Sequence, residues 1–250
     1  MPRLRRTLSL VLAAPLALAL AACGDQGETD AGTAPAAVIA PVPAPAGTAW
    51  RDTVTVTPAD GYLLGNPNAP IKVIEYASLT CPACAAFSAD GAEQLKEEYV
   101  NSGRVSFELR NQVHGPHDLA LATLVRCGAD EAVHPLSDQV WANLQSVLTP
   151  IMNNQAAVEQ ALTLPPERRL VELARIGGFY EFFASRGISE DQARACLADN
   201  ATYEKIAENS TRQSQELDIT GTPTFLVNGR KVEVNGWAQL EPVLQRAGAR

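Results

Sequence analysis

The four residues Cys81-Pro82-Ala83-Cys84 constrain this chain more than any other feature, because they stand where an apolar strand hands over to a helix. Ile71 to Ala77 reads as a buried strand that stops just before Cys81. From Ala83 to Tyr99 the apolar residues Phe87, Leu95 and Tyr99 fall on one face of a helix. A Cys-x-x-Cys pair has two common uses, metal ligation and thiol exchange. Structural zinc needs four ligands. The chain has no second Cys-x-x-Cys, and His114, His117 and His134 are not spaced like zinc ligands. They read as ordinary residues, His114 and His117 in a loop. Thiol exchange needs one thiol at a helix N-terminus, where backbone N–H groups and the macrodipole favour the thiolate. The strand–Cys–Pro–Ala–Cys–helix order supplies that arrangement. Cys81 lies at the helix start, Cys84 one turn inside, and Pro82 in the first turn, where its missing N–H costs nothing.

The N-terminus bears on what the other cysteines do. Arg3, Arg5 and Arg6 precede a nearly unbroken apolar run from Leu8 to Leu20, the pattern of a secretory signal peptide. Its end, Leu20-Ala21-Ala22-Cys23, resembles the lipobox of bacterial lipoproteins, which implies that residues 1–22 are removed and Cys23 is lipidated. Outside the cytoplasm disulfides persist. The chain has five cysteines. With Cys23 carrying lipid, four remain, enough for two disulfides. Cys127 and Cys196 are then expected to form a structural one.

Residues 23–49 are rich in Ala, Pro, Gly and Thr without helical or strand period, the composition of a disordered tether. The folded part starts near Trp50. Thr53 to Thr57 alternates as an edge strand, Gly65-Asn66-Pro67-Asn68 is a turn, and Arg104 to Arg110 is a strand of period two. From Asp118 to Glu216 the pattern is helical throughout, with Asp118 read as the cap of a helix ending at Cys127 and Gly128, and Ser189 capping the helix that holds Cys196. Strands return at Thr224–Val227 and Lys231–Val234 around Asn228-Gly229, a strong hairpin signal. A last helix starts at Trp237. The order predicts an α/β layer (50–117 and 217–250) interrupted by an all-helical insertion (118–216). A net charge of −8 argues against nucleic acid as a partner.

Two stretches together resemble one family. Leu64-Gly65-Asn66-Pro67-Asn68-Ala69-Pro70-Ile71-Lys72-Val73-Ile74-Glu75-Tyr76-Ala77-Ser78-Leu79-Thr80-Cys81-Pro82-Ala83-Cys84 resembles the entry to the DsbA-like branch of the thioredoxin superfamily, and Thr220-Gly221-Thr222-Pro223-Thr224-Phe225-Leu226-Val227-Asn228-Gly229 resembles that branch's second motif. The helical block between them is similar to its inserted domain. The resemblance implies a thioredoxin fold with an inserted all-helical domain. It makes Cys81 the attacking thiolate, Cys84 the resolving thiol, Pro223 a cis-proline facing the dithiol with Thr222 before it to pair with substrate backbone, and Glu75 a buried acid that moves a proton to or from Cys84. It also implies no cofactor beyond the Cys81–Cys84 disulfide. Its expected partners are exported proteins with cysteines and a membrane redox partner. Ala83 departs from the histidine of the best-known oxidases, so the sequence predicts a periplasmic, membrane-anchored disulfide donor of lower potential than those. Disulfide reduction or isomerisation is the alternative, and copper handling by the two thiols a remoter one.

Overall fold

The computed structural model describes residues 36–250. Cys23 and the signal segment lie outside the described residues. Six strands form one mixed sheet: β1 (Val54–Val56), β2 (Tyr62–Gly65), β3 (Ile71–Ala77), β4 (Val105–Asn111), β5 (Thr224–Val227) and β6 (Arg230–Val232), in the order β1-β2-β4-β3-β5-β6. Central β3 runs parallel to β4, with Ile71 opposite Val105 and Ala77 opposite Asn111, and antiparallel to β5, with Glu75 opposite Phe225. Strand β2 does not stand out in the sequence. Its four residues lack alternation because all four are buried.

The parallel β3–β4 pair needs a crossover, and the helix behind Cys81 supplies it. α1 (Pro82–Phe87) continues through π-helical turns at Ser88–Ala92 and Leu95–Val100 before the chain enters β4. Residues 71, 73, 75 and 77 of β3 share one face of the sheet by the two-residue period. Ile71 and Val73 pack there with Val105, Phe107 and Phe225 against Phe87, Leu95 and Tyr99 from α1 and its continuation. The last helix, α10 (Trp237–Arg246), joins them through Trp237, Leu240 and Leu244. Gly91 lets this happen, since a Cβ there would sit 2.1 Å from the Trp237 ring.

The helical block comprises α2 (Pro116–Val125), α3 (Val133–Ala142), α4 (Leu144–Asn153), α5 (Gln155–Leu162), α6 (Pro166–Gly177), α7 (Phe179–Ala184), α8 (Glu190–Ala198) and α9 (Asn200–Leu217). Its core around Leu121, Leu124, Leu173, Phe179, Phe183 and Leu197 is continuous with Ala77, Leu79, Cys81, Cys84 and Leu109 at the C-terminal ends of β3 and β4. The dithiol therefore sits in the seam between the sheet and the insertion.

Three local readings change. The stretch read as tether does not run to residue 49, because residues 36–49 lie along the domain. Ala36 N–H donates to Arg246 C=O, Ile39 N–H to Gly248 C=O and Val42 N–H to Ser102 C=O, each at 2.9 Å, and the Trp50 indole donates to Val42 C=O at 2.8 Å. These contacts use backbone groups, so an Ala/Pro composition carries no trace of them. Helix α2 starts at Pro116 behind Gly115, which puts Asp118 inside the first turn and buries it, instead of at the cap. The hairpin forms about Asn228 and Gly229 at φ +50° and +78°, but β6 starts one residue early, at Arg230.

Candidate active site

Cys81 occupies the N-cap of α1 with an extended backbone (φ −88°, ψ 121°), and Pro82 follows in the first turn. Its N–H donates to Ser78 C=O at 3.3 Å, and its C=O accepts from Ala85 N–H at 3.1 Å. The turn Ser78–Thr80 aims it, and that turn is held from the insertion. The buried Asp118 carboxylate accepts from Ser78 Oγ (2.7 Å), Leu79 N–H (3.0 Å) and His114 N–H (2.8 Å), while Trp141 Nε1 donates to Ser78 C=O at 2.9 Å. The sequence alone reads Asp118 as a helix cap. Only the fold brings Asp118 and Trp141 to the loop before Cys81. Asp118 anchors three donors, yet burial still pushes its carboxyl above the usual range.

Across from Cys81 runs the loop before β5. The Thr222–Pro223 peptide is cis, and Cys81 Sγ lies 3.2 Å from Thr222 C=O. The structure thus places Cys81, Thr222 and Pro223 together. His114, read as a loop residue, reaches this spot too, with its Nε2 3.4 Å from Thr222 Oγ1.

The two thiols are driven apart electrostatically. The Cys84 thiol, then the Thr222 side chain and the backbone N–H groups of Cys84 and Ala83, lower Cys81 to about 5 against the opposing effect of burial. Ala83 contributes its backbone only. Cys84 is fully buried, and burial, the Cys81 sulfur and Glu75 push its thiol far up. Glu75 lies on the same sheet face, 1% exposed, with Oε1 lacking any hydrogen-bond partner. Burial raises it to about 8, with Asp138 adding to the rise and Lys96 opposing it. Lys96 and Asp138 form an ion pair joining the helix behind Cys84 to α3. Neither residue stands out in the sequence. At neutral pH the site thus holds a thiolate at Cys81 and protons on Cys84 and Glu75.

Cys127 and Cys196 are joined by a disulfide, with Cα atoms 5.9 Å apart. Cys127 lies just past the end of α2, not on it, and Cys196 lies on α8. Among the described residues no group of three or more His, Cys, Asp or Glu side chains is placed to hold a metal ion.

Comparison with known proteins agrees with this geometry. A family model described as Thioredoxin matches residues 57–246. The chain belongs to the thioredoxin family. A solved protein-disulfide isomerase from Novosphingobium aromaticivorans is 29% identical, covers 73% of this chain and 94% of its own, and superposes with a TM-score of 0.69. Wolbachia pipientis alpha-DsbA1, at 22% identity, covers 77% and 94% with a TM-score of 0.62. This chain has a thioredoxin fold carrying an inserted helical domain. A Rickettsia bellii protein, provisionally named a protein-disulfide oxidoreductase, is 24% identical over 171 residues, which is 68% of this chain. The chain spans 58% of that relative's length.

Proposed function

We propose that the chain is a thiol:disulfide oxidoreductase that works outside the cytoplasm, tethered through Cys23, and introduces disulfides into exported proteins. The observation that carries this reading is the polarised dithiol: a Cys81 thiolate at a helix N-terminus facing a cis-proline loop, with a protonated Cys84 and Glu75 behind it.

The reaction follows from that polarity. In the oxidised enzyme a substrate thiolate attacks Cys81 Sγ, the Cys81–Cys84 bond breaks, and the electron pair leaves on Cys84, which takes up a proton. Glu75 is the group buried beside it that can supply one. The substrate's second thiolate then attacks its own sulfur in the mixed disulfide, and Cys81 leaves as a thiolate. The substrate loses two electrons to a new disulfide, and the enzyme gains them as a dithiol. A low thiol pKa makes Cys81 the better leaving group in this last step and stabilises the reduced enzyme, so the disulfide form is oxidising. Thr222, before the cis-proline, pairs with the substrate backbone. A membrane redox partner takes the electrons away and restores the disulfide.

The second reading is isomerisation, favoured by the likeness to the Novosphingobium aromaticivorans protein-disulfide isomerase. The two differ in resting state. Thiol trapping in intact cells should find Cys81 and Cys84 mainly as a disulfide, and the oxidised protein should convert a reduced, unfolded substrate to its disulfide form. Free thiols at both positions in the cell would transfer the assignment to isomerase or reductase. Mass spectrometry of the mature N-terminus tests the tether, with acylation of Cys23 expected and an unmodified N-terminus against it.

A further inference from the structure

His114 has no part in the exchange itself, yet it stands at the dithiol. It lies on the loop after β4, and that loop is pinned at three successive residues. Gln112 N–H donates to Ala77 C=O, Val113 N–H to Ser210 Oγ and His114 N–H to the Asp118 carboxylate, each at 2.8 Å. Asp118 and Ser210 are both buried. The His114 backbone is therefore fixed, although its ring is exposed. On its inner side the ring meets one neighbour, with Nε2 3.4 Å from Thr222 Oγ1.

Thr222 connects that ring to Cys81. Its C=O lies 3.2 Å from Cys81 Sγ, and its side chain is one of the groups that lower the Cys81 thiol. A threonine hydroxyl has one proton to give and two lone pairs with which to accept. When the proton points at the Cys81 thiolate, the oxygen is left to accept, and the imidazole must be the donor. Nε2 carries a hydrogen in the imidazolium and in one of the two neutral tautomers, so the direction of the bond does not depend on the charge of the ring. Hydrogen bonds in such a chain polarise one another, and donation from His114 strengthens the bond from Thr222 to sulfur.

The helix start leaves room for such a contribution. Ala83 and Cys84 offer backbone N–H groups to the Cys81 sulfur, and the methyl side chain of Ala83 offers no donor. His114 comes from a different element and reaches Cys81 across the cis-proline loop. The side-chain donor missing from the helix thus has a counterpart on the facing wall.

We propose that His114 is a positioning residue for the dithiol, whose Nε2–H holds the Thr222 hydroxyl proton on Cys81 and so favours the reduced, thiolate form. This role rests on the oxidoreductase reading above and adds a residue to it. Losing one hydrogen bond at one remove from the sulfur corresponds to about a two- to fivefold drop in the thiolate-to-thiol ratio at fixed pH.

The test uses the reduced full-length protein. Iodoacetamide alkylation across a pH series gives the Cys81 midpoint, and equilibration with glutathione at pH 7 gives the potential. His114→Ala should raise the midpoint by about 0.3–0.7 pH unit, the same two- to fivefold, and lower the potential by about 10–20 mV. His114→Gln places an amide N–H near the Nε2 position and should restore most of the shift. His114→Glu can only accept from the hydroxyl and should move the midpoint further up than Ala does. In a Thr222→Val protein, His114→Ala should change neither value. All these variants keep the backbone N–H that bonds Asp118, so a merely structural role would move the urea midpoint and leave the alkylation midpoint in place. A His114→Ala midpoint within about 0.1 pH unit of wild type overturns the role. So does Gln behaving like Ala, and so does an equal shift with and without the Thr222 hydroxyl. Dithiothreitol separates the two levels. Wild-type protein that oxidises dithiothreitol, with His114 variants unshifted, refutes the part of His114 alone, whereas wild-type protein inert towards dithiothreitol refutes the oxidoreductase reading and the role of His114 with it.

Discussion

The pH dependence of the Cys81–Cys84 reduction potential reports directly on the polarised dithiol. Reducing the disulfide adds two electrons and as many protons as the product thiols hold. With Cys81 ionising at about 5 and Cys84 far higher, reduction above pH 5 takes up one proton, on Cys84. Below that pH it takes up two. For a two-electron couple each proton contributes about 30 mV per pH unit. The potential should therefore fall by about 60 mV per unit up to pH 5 and by about 30 mV per unit from there to pH 7. An unperturbed thiol, ionising near 8.5, would keep the steeper slope throughout. Glu75, raised to about 8, stays protonated across that window and adds no break of its own.

The size of the effect follows from the same shift. At pH 7, two units above the lowered value of about 5, ionisation favours the reduced form by roughly two decades, which is about 2.7 kcal/mol or about 60 mV. The sign is that of an acid whose folded value is depressed. Its contribution to the stability of the reduced protein is full above the unfolded value and is lost as pH falls through about 5. The oxidised protein has no such group, so the stability difference between the two forms should shift against the reduced form between pH 7 and pH 4. Equilibration with glutathione buffers over pH 4–7, with trapped thiols quantified by mass, gives the slope. Iodoacetamide alkylation of Cys81 gives the midpoint independently. Cys84→Ala removes the largest cause and should raise that midpoint more than Thr222→Val does. An unbroken slope of about 60 mV to pH 7, with alkylation midway near pH 8, would show that the helix start does not hold a thiolate.

Three further outcomes are expected. Replacing Cys127 and Cys196 together by Ala opens a loop of 69 residues in sequence separation, for which the chain-entropy relation gives about 4 kcal/mol, or a Tm lower by roughly 10–15 °C in calorimetry; a loss under 2 °C would mean that the bridge constrains little. Glu75→Gln should stabilise the protein by up to about 3 kcal/mol at pH 7 and not at pH 4 in urea titrations, because a carboxyl raised to about 8 by burial costs stability once the unfolded chain ionises; equal effects at both pH values would contradict its burial as an acid. A chain starting at residue 50 should melt below one starting at residue 36, since Ala36, Ile39 and Val42 bond the ends of the domain; identical melting would show that the strap adds nothing.

What the sequence discloses is what neighbours along the chain decide. The buried run Ile71–Ala77, the Pro82 helix start and the Asn228-Gly229 turn each follow from residues a few positions apart, and the structure has β3, α1 and the β5–β6 hairpin there. Asn228 shows where this stops. Its turn is local, but its Oδ1 also accepts from Lys72 N–H at 2.8 Å, which depends on β3 and β5 lying side by side. Strand β2 stayed hidden because burial on both faces erases alternation. Asp118 stayed hidden because a carboxylate in a first helical turn has an obvious local use, while its partners Ser78 and Leu79 are 39–40 residues away. The low value at Cys81 was legible only in part. The helix N-terminus was visible from Pro82 and the spacing, whereas the Thr222 contribution comes from 141 residues downstream.

The strap and the dithiol lie toward opposite ends of the parallel strands β3 and β4. Ser102, which receives Val42, stands just before β4, and Ile71 at the start of β3 donates to Arg104 C=O at 3.1 Å. Cys81 follows the other end of β3, seven residues on, a rise of about 23 Å. Gly248, which receives Ile39, lies beyond α10, and α10 runs alongside the helix behind Cys81 in the same sense, with Trp237 against Gln94 and Gln245 near Tyr99. The backbone bonds of residues 36–42 therefore gather at the end of the domain far from the cis-proline loop.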